Sequence, residues 1–300
     1  HHLDIDPLSL RKFAGKKLKN KPGKFTYPYN QPSLELFNRH CDLLIKKHSL
    51  DQLHLKDKVE EIEINKTNLS LHTKKNGSLN AKRVILAFGQ SGSLCYPNWS
   101  VKKNLEIKHL FSSEFNWERI KEKKSLAVIG GGISAVQASM YAQSLGLEVH
   151  LISRHPLRKH QFDSDPSWLG PKNMAKFLSE KSYVKRRELI TKSRHRGSVP
   201  PELFSKVNSL IRSQRIQFEK TEVSSCQKNE KHYELTLASQ KKIKVDDVVL
   251  ATGFEPLRPG GQMLTKLVER YKLPVSNCSF PLVDHKLKWH KRIYVAGSLA

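Results

Sequence analysis

Leu126-Ala127-Val128-Ile129-Gly130-Gly131-Gly132-Ile133-Ser134-Ala135 joins an apolar run to three glycines and then to the start of a helix. The run reads as a buried strand, Ile133 to Leu145 as the helix, and Leu147 to Ile152 as a second strand. G-x-G-x-x-A therefore occupies the turn of a complete βαβ unit ~30 residues long, the setting in which that motif carries meaning. Each residue type has a task. Gly130 allows the sharp turn, Gly132 removes a side chain where a pyrophosphate approaches the backbone, and Ala135 keeps helix and sheet close. Exposed N–H groups along Gly131, Ile133 and Ser134 and the positive end of the helix dipole suit phosphate. A glycine turn without a ligand is the competing reading.

The second strand ends in Ser153-Arg154. A site for NADH carries Asp or Glu here, ~20 residues beyond the glycines, to accept from the ribose 2′-hydroxyl. A hydroxyl and a guanidinium suit a 2′-phosphate instead, so the expectation is NADPH. His155, Arg158, Lys159 and His160 continue the basic character, with Arg158 a second candidate for the phosphate. A solvated basic loop is the alternative for this cluster.

Away from this unit, Ser33 reads as the N-cap of an amphipathic helix whose apolar stripe is Leu34, Phe37, Cys41, Leu44 and Ile45. Strands follow at Lys58 to Ile64, Thr67 to His72 and Arg83 to Phe88, with a hairpin signal at Asn76-Gly77. Beyond Ile152, helices are expected at Pro171 to Glu180, Val184 to Ser193 and Pro201 to Ser213. Strands are expected at Ile216 to Phe218, His232 to Ala238, Lys242 to Ala251 and Arg292 to Gly297. No apolar run nears the ~18 residues of a membrane helix, and His1-His2-Leu3-Asp4 does not read as a secretory signal. Cys41, Cys95, Cys226 and Cys278 form no CxxC pair, which removes a zinc knuckle and a redox dithiol; free thiols in the cytoplasm are the expectation, with no metal. The charge is +25, from 53 basic and 28 acidic residues. That would suit a polyanion, but the lysines are spread in short runs such as Lys16-Lys17 and Lys123-Lys124, so no specific nucleic-acid partner is expected.

Three further stretches resemble the flavin-containing and N-hydroxylating monooxygenase superfamily of two-dinucleotide-domain flavoproteins. Val248-Val249-Leu250-Ala251-Thr252-Gly253-Phe254-Glu255-Pro256 is similar to the segment linking the NADPH domain to the flavin domain. Val84 to Gly89, followed by Tyr96-Pro97, is similar to its earlier paired copy. Ile293-Tyr294-Val295-Ala296-Gly297 resembles the strand-glycine element that meets the flavin, and Tyr27 to Leu53 the helix preceding a β-meander.

The resemblance implies an α/β fold: a Rossmann-like NADPH-binding domain at 119–256 inserted in a partial FAD-binding domain (Rossmann plus β-meander) at 1–118 and 257–300. It implies FAD and NADPH as cofactors, with Ala251, Thr252, Gly253, Gly89 and Gly297 joining the cofactor-binding residues. It also implies oxygenation of a nucleophilic N or S in a small molecule through a C4a-hydroperoxyflavin. A first G-x-G-x-x-G for FAD is missing before residue 80, so the expectation is a chain truncated at its N-terminus and also at its C-terminus. An NADPH-dependent reductase without oxygenation and a non-catalytic polyanion-binding module are the rival readings. Catalytic side chains are not assigned; His109, Asp163, Asp165 and Trp168 lie in loops beside the motifs, and Pro28-Tyr29-Asn30 is either a flavin neighbour or an ordinary turn.

Overall fold

The computed structural model describes residues 3–15, 25–26, 31–90, 92–101 and 105–300; Tyr27 to Asn30 and the Lys16-Lys17 pair lie outside them. The chain divides into two compact units, His1–Val59 with Thr73–Gly77 and Glu60–His72 with Ser78–Ala300. No helix among the described residues is long and apolar enough to cross a membrane.

In the first unit, α1 (Ser9–Ala14) is followed by β1 (Phe25–Thr26) and β2 (Gln31–Pro32), which pair antiparallel, and by α2 (Leu34–Lys47). Ser33 caps α2 by accepting from the Leu36 amide at 3.2 Å. The buried face of α2 is Leu36, His40 and Leu44, whereas Leu34 of the expected stripe is 74% exposed. The reason is polar. His40 Nε2 lies 2.9 Å from Ser9 Oγ and its ring meets Phe13, so a histidine takes a core position that a search for apolar residues passes over. Asp57 accepts from the Lys58 and Asn76 amides at 2.7 and 2.9 Å, which pins the turn expected at Asn76-Gly77.

β3 (Val59–Ile64), β4 (Leu69–Thr73) and β5 (Gly77–Ala81), all but their end residues in the second unit, form a sheet in that order, and β6 (Val84–Leu86) belongs to another. Then come β7 (Lys108–His109), α3 (Trp117–Lys121), β8 (Ser125–Ile129), α4 (Ile133–Ser144) and β9 (Glu148–Ser153). A long excursion follows, with β10 (Arg158–Lys159), α5 (Pro171–Ser179), α6 (Tyr183–Ser193), β11 (Ser198–Val199) and α7 (Pro201–Arg212) preceding β12 (Gln217–Lys220). The rest is β13 (Val223–Lys228), β14 (Tyr233–Leu237), β15 (Lys242–Val245), β16 (Asp247–Leu250), α8 (Gly261–Tyr271), β17 (Lys288–His290) and β18 (Ile293–Val295).

The central sheet is parallel throughout, in the order β12-β9-β8-β16-β7. Its central strands β8 and β16 are largely apolar on both faces because both are covered. Leu126 and Val128 point into a core with Val136, Val149, Leu151 and Val207, while Ala127 and Ile129 point into one with Leu235, Ile243 and Leu250. The second core is roofed by the antiparallel sheet β13-β14-β15. Lys242 to Ala251, read as one strand, is two. Asp246 breaks it: its carboxylate accepts from the Lys124 and Ser125 amides at 2.7 and 3.1 Å, which sends β16 into the parallel sheet. The strand-glycine segments around residues 86 and 295 come together as β18 pairs parallel with β6, Val295 opposite Leu86.

The turn after β8 requires glycine. Gly130 has φ +149, and a Cβ there would lie 2.3 Å from the Ala251 carbonyl oxygen. Gly146 has φ +88 but nothing within 4 Å of its Cβ position. We expect Gly146→Ala to cost about 1 kcal/mol, the strain of φ alone, and Gly130→Ala clearly more, on the order of 3 kcal/mol. Urea unfolding of the two variants measures the difference, and equal losses would remove the Ala251 contact from the account.

Candidate functional site

The C-terminal ends of β8, β9 and β16 lie side by side, the edge at which parallel α/β sheets present ligand sites. Gly130 N donates to the Ile152 carbonyl (2.9 Å) and Ala251 N to the Ile129 carbonyl (2.8 Å), so the sheet ladder continues into the glycine turn. From there α4 starts at Ile133 with Gly132 as its N-cap. No side chain caps it, and its first turn holds no acidic residue. The first amides of a helix lack intrahelical acceptors, and among the described residues no side chain caps this end. That end of α4 carries the partial positive charge that favours an anion.

Ala135 is fully buried against the sheet, as its place in the motif requires. Gly131 has its own neighbour, since a Cβ there would meet Ser153 Oγ at 2.2 Å and the His155 ring at 2.9 Å. Ser153 is 3% exposed and spends its hydroxyl on the His155 carbonyl at 2.8 Å. Arg154, one residue on, is exposed. Arg158 is exposed too, but its Nη1 donates to the Arg196 carbonyl at 2.9 Å, which ties it to the loop before β11.

On the far side of β16, the chain from Ser93 to Tyr96 runs antiparallel to Thr252–Glu255. Cys95 N donates to the Gly253 carbonyl (3.0 Å), Glu255 N to the Ser93 carbonyl (2.8 Å), and the Thr252 hydroxyl to the Cys95 carbonyl. The two linker-like motifs thus lie against one another. Burial raises the Cys95 thiol pKa, a hydrogen bond with Glu255 adds to that, and the charge of Arg154 opposes it. Beside them His109 is fully buried in an aromatic group with Tyr96, Phe111 and Phe254. Burial lowers its pKa, with the Gly253 backbone pulling the other way. Gly89 and Gly297 follow the paired strands β6 and β18, where Ser298 Oγ donates to the Phe88 carbonyl at 2.8 Å.

Among the described residues no group of three or more His, Cys, Asp or Glu is placed to hold a metal ion. Cys41, Cys95 and Cys278 are free cysteines. Asp163 pairs with Arg194, and Asp165 caps the short turn at Ser167, so both of these loop carboxylates have local work. What sequence reasoning missed is the loop Arg194 to Gly197, which packs onto the glycine turn. Its signal was a basic tetrapeptide ending in glycine, but nothing in its spacing placed it next to residue 132.

A strand-glycine-helix corner on the C-terminal edge of a five-stranded parallel sheet defines a dinucleotide-binding α/β protein. The chain belongs to the pyridine nucleotide-disulphide oxidoreductase family, whose model matches residues 19–188. No curated protein matches it in sequence. Solved structures share its fold. The FAD-bound cadaverine monooxygenase DfoA of Erwinia amylovora superposes with a TM-score of 0.64 at 17% identity, over 88% of this chain and 72% of that one. The ornithine hydroxylase PvdA of Pseudomonas aeruginosa gives 0.67 at 20% identity, over 88% and 68%. The bacillithiol disulfide reductase Bdr of Bacillus cereus gives 0.60 at 16% identity, over 94% and 74%. These likenesses show an α/β fold of the two-dinucleotide flavoprotein type.

The state of His109 can be tested through stability. Its pKa is lowered on folding from 6.5, so the unfolded chain takes up a proton that the folded chain refuses, and stability falls as pH drops below that value. His150 and His290 act in the same sense. His109→Phe keeps the aromatic packing, and its loss of stability from ~pH 7 to ~pH 5 should be smaller than that of the wild type. Equal losses in urea titrations at the two pH values would refute a neutral, buried His109.

Proposed function

We propose that this chain is the NADPH-binding part, with flanking flavin-domain segments, of an FAD- and NADPH-dependent oxidoreductase. Its reaction is the oxygenation of a nucleophilic nitrogen or sulfur in a small molecule. The carrying observation is the uncapped N-terminus of α4 behind Gly130–Ala135, with the exposed Arg154 at the end of the next strand. The domain limits proposed are 119–256 for NADPH, with 1–118 and 257–300 belonging to the flavin domain.

The fit of the cofactors rests on the donors present. For NADPH, the amides of Gly131, Gly132, Ile133 and Ser134 would face the pyrophosphate, and the Arg154 guanidinium would take the 2′-phosphate, which an acidic side chain there would repel. Thr252 and Gly253, tied to Cys95, would close the neighbouring flank. For FAD, the ends of β6 and β18 with Gly89 and Gly297 offer one wall, while a glycine corner for its pyrophosphate is not among these 300 residues. Bound FAD would accept a hydride from NADPH and supply the chemistry with O2. The protein's own tasks are to hold the nicotinamide nucleotide, to orient it and to keep water out.

A sequence without a CxxC pair favours oxygenation over dithiol exchange, although the shared fold extends to both monooxygenases and disulfide reductases. Binding titrations test the first step. The purified chain should bind NADPH at least about 10-fold more tightly than NADH, and Arg154→Gln should erase that preference by weakening NADPH alone. Equal affinities in the wild type would refute the role given to Arg154. With FAD supplied, NADPH oxidation matched by oxygenated product supports oxygenation; NADPH oxidation that proceeds without O2 consumption points to the reductase.

A further inference from the structure

The loop between α6 and β11, Arg194-His195-Arg196-Gly197, runs directly over the glycine corner. A Cβ on Gly132 would lie 3.3 Å from the Gly197 Cα, so the two backbones meet with no side chain between them. Gly197 has φ +69, the left-handed region that favours glycine. The His155 ring fills the remaining gap, its Cε1 2.9 Å from a Cβ position on Gly131 and 3.4 Å from one on Gly197.

The loop is fastened on both sides. β10 pairs parallel with β11, Arg158 opposite Ser198, and His160 N donates to the Val199 carbonyl at 3.1 Å. Arg158 Nη1 holds the Arg196 carbonyl. His195 stacks on His160 with ring centroids 4.0 Å apart, and Arg194 pairs with Asp163. Fastening therefore occupies Arg194 and the Nη1 of Arg158. Arg196 differs. Its side chain is exposed and makes no ion pair or hydrogen bond among the described residues.

A free guanidinium is thus carried one residue from the point where the loop touches Gly132. That is the glycine whose missing side chain lets a pyrophosphate approach. Arg154 stands at the other position, the tip of β9, where the ribose lies. We propose that Arg196 is a second phosphate ligand of the dinucleotide site and binds the pyrophosphate, leaving the 2′-phosphate to Arg154. This rests on the dinucleotide-binding reading given above. Because every nicotinamide dinucleotide has a pyrophosphate, Arg196 contributes affinity for NADPH and NADH alike, whereas Arg154 contributes discrimination.

The test is titration of the purified chain with NADPH and with NADH, for wild type, Arg196→Gln, Arg196→Lys and a control, Arg212→Gln. Arg212 ends α7, the helix that begins after the loop and extends away by ~18 Å over its length. Removing one charge-assisted bond to phosphate should weaken both nucleotides by a similar factor, about 10-fold or more. Arg196→Lys should recover most of that loss, and Arg212→Gln should bind as the wild type does. Unchanged thermal unfolding of Arg196→Gln excludes a folding defect. Wild-type affinity of Arg196→Gln for both nucleotides overturns the proposal, and so does a loss confined to NADPH, which would make Arg196 a 2′-phosphate ligand. A wild-type chain that binds neither nucleotide refutes the dinucleotide reading itself, and this assignment with it.

Discussion

The contact between Gly130 and the Ala251 carbonyl fixes the geometry on which the site depends. At that point β8 ends, α4 begins, and β16 passes close enough that any side chain would collide. Close approach of three backbone segments brings the first amides of α4, the tip of β9 and the Thr252–Gly253 turn to one edge of the sheet. Burial on both faces keeps that edge in place: alternate residues of β8 enter different cores, so a shift of one strand by one residue would exchange both sets of contacts.

The three glycines of the corner are not equivalent. Gly130 is excluded from bearing a side chain by Ala251, Gly131 by Ser153 and His155, and Gly132 is closest to Gly197. Only the last of these neighbours is a segment outside the βαβ unit and the strand beside it. The glycine pattern therefore records packing within the protein as well as room for a ligand, and both demands select the same residue type. Ser153 illustrates the cost of that overlap: its hydroxyl, a phosphate candidate by position, is turned inward to its own chain.

Much of this was legible because it is local. The strand, glycine turn, helix and second strand follow one another within a short stretch, and their boundaries in the structure fall within a residue or two of those expected. The helices at 171–179, 183–193 and 201–212 were likewise visible from their patterns. What was hidden depends on partners distant in sequence. β7 is two residues long and becomes a strand only by pairing with β16. Asp246 breaks a continuous apolar run because amides at 124 and 125 reach it. The helix at 261–271 and the strand at 223–228 were not anticipated. The burial of His40 depends on Ser9, and the loop over Gly132 depends on the β10–β11 pairing, neither of which leaves a periodic trace.

The long excursion between β9 and β12 also bears on how the chain acquires its shape during synthesis. The corner's own strands are near neighbours and meet at little entropic cost, but Ala251, which makes Gly130 obligatory, emerges from the ribosome more than a hundred residues later. Until then nothing enforces the unusual backbone at Gly130, and the loop that later covers Gly132 is already present. In order of synthesis the loop over Gly132 thus precedes Ala251, the residue that follows β16, the strand lying between β8 and β7.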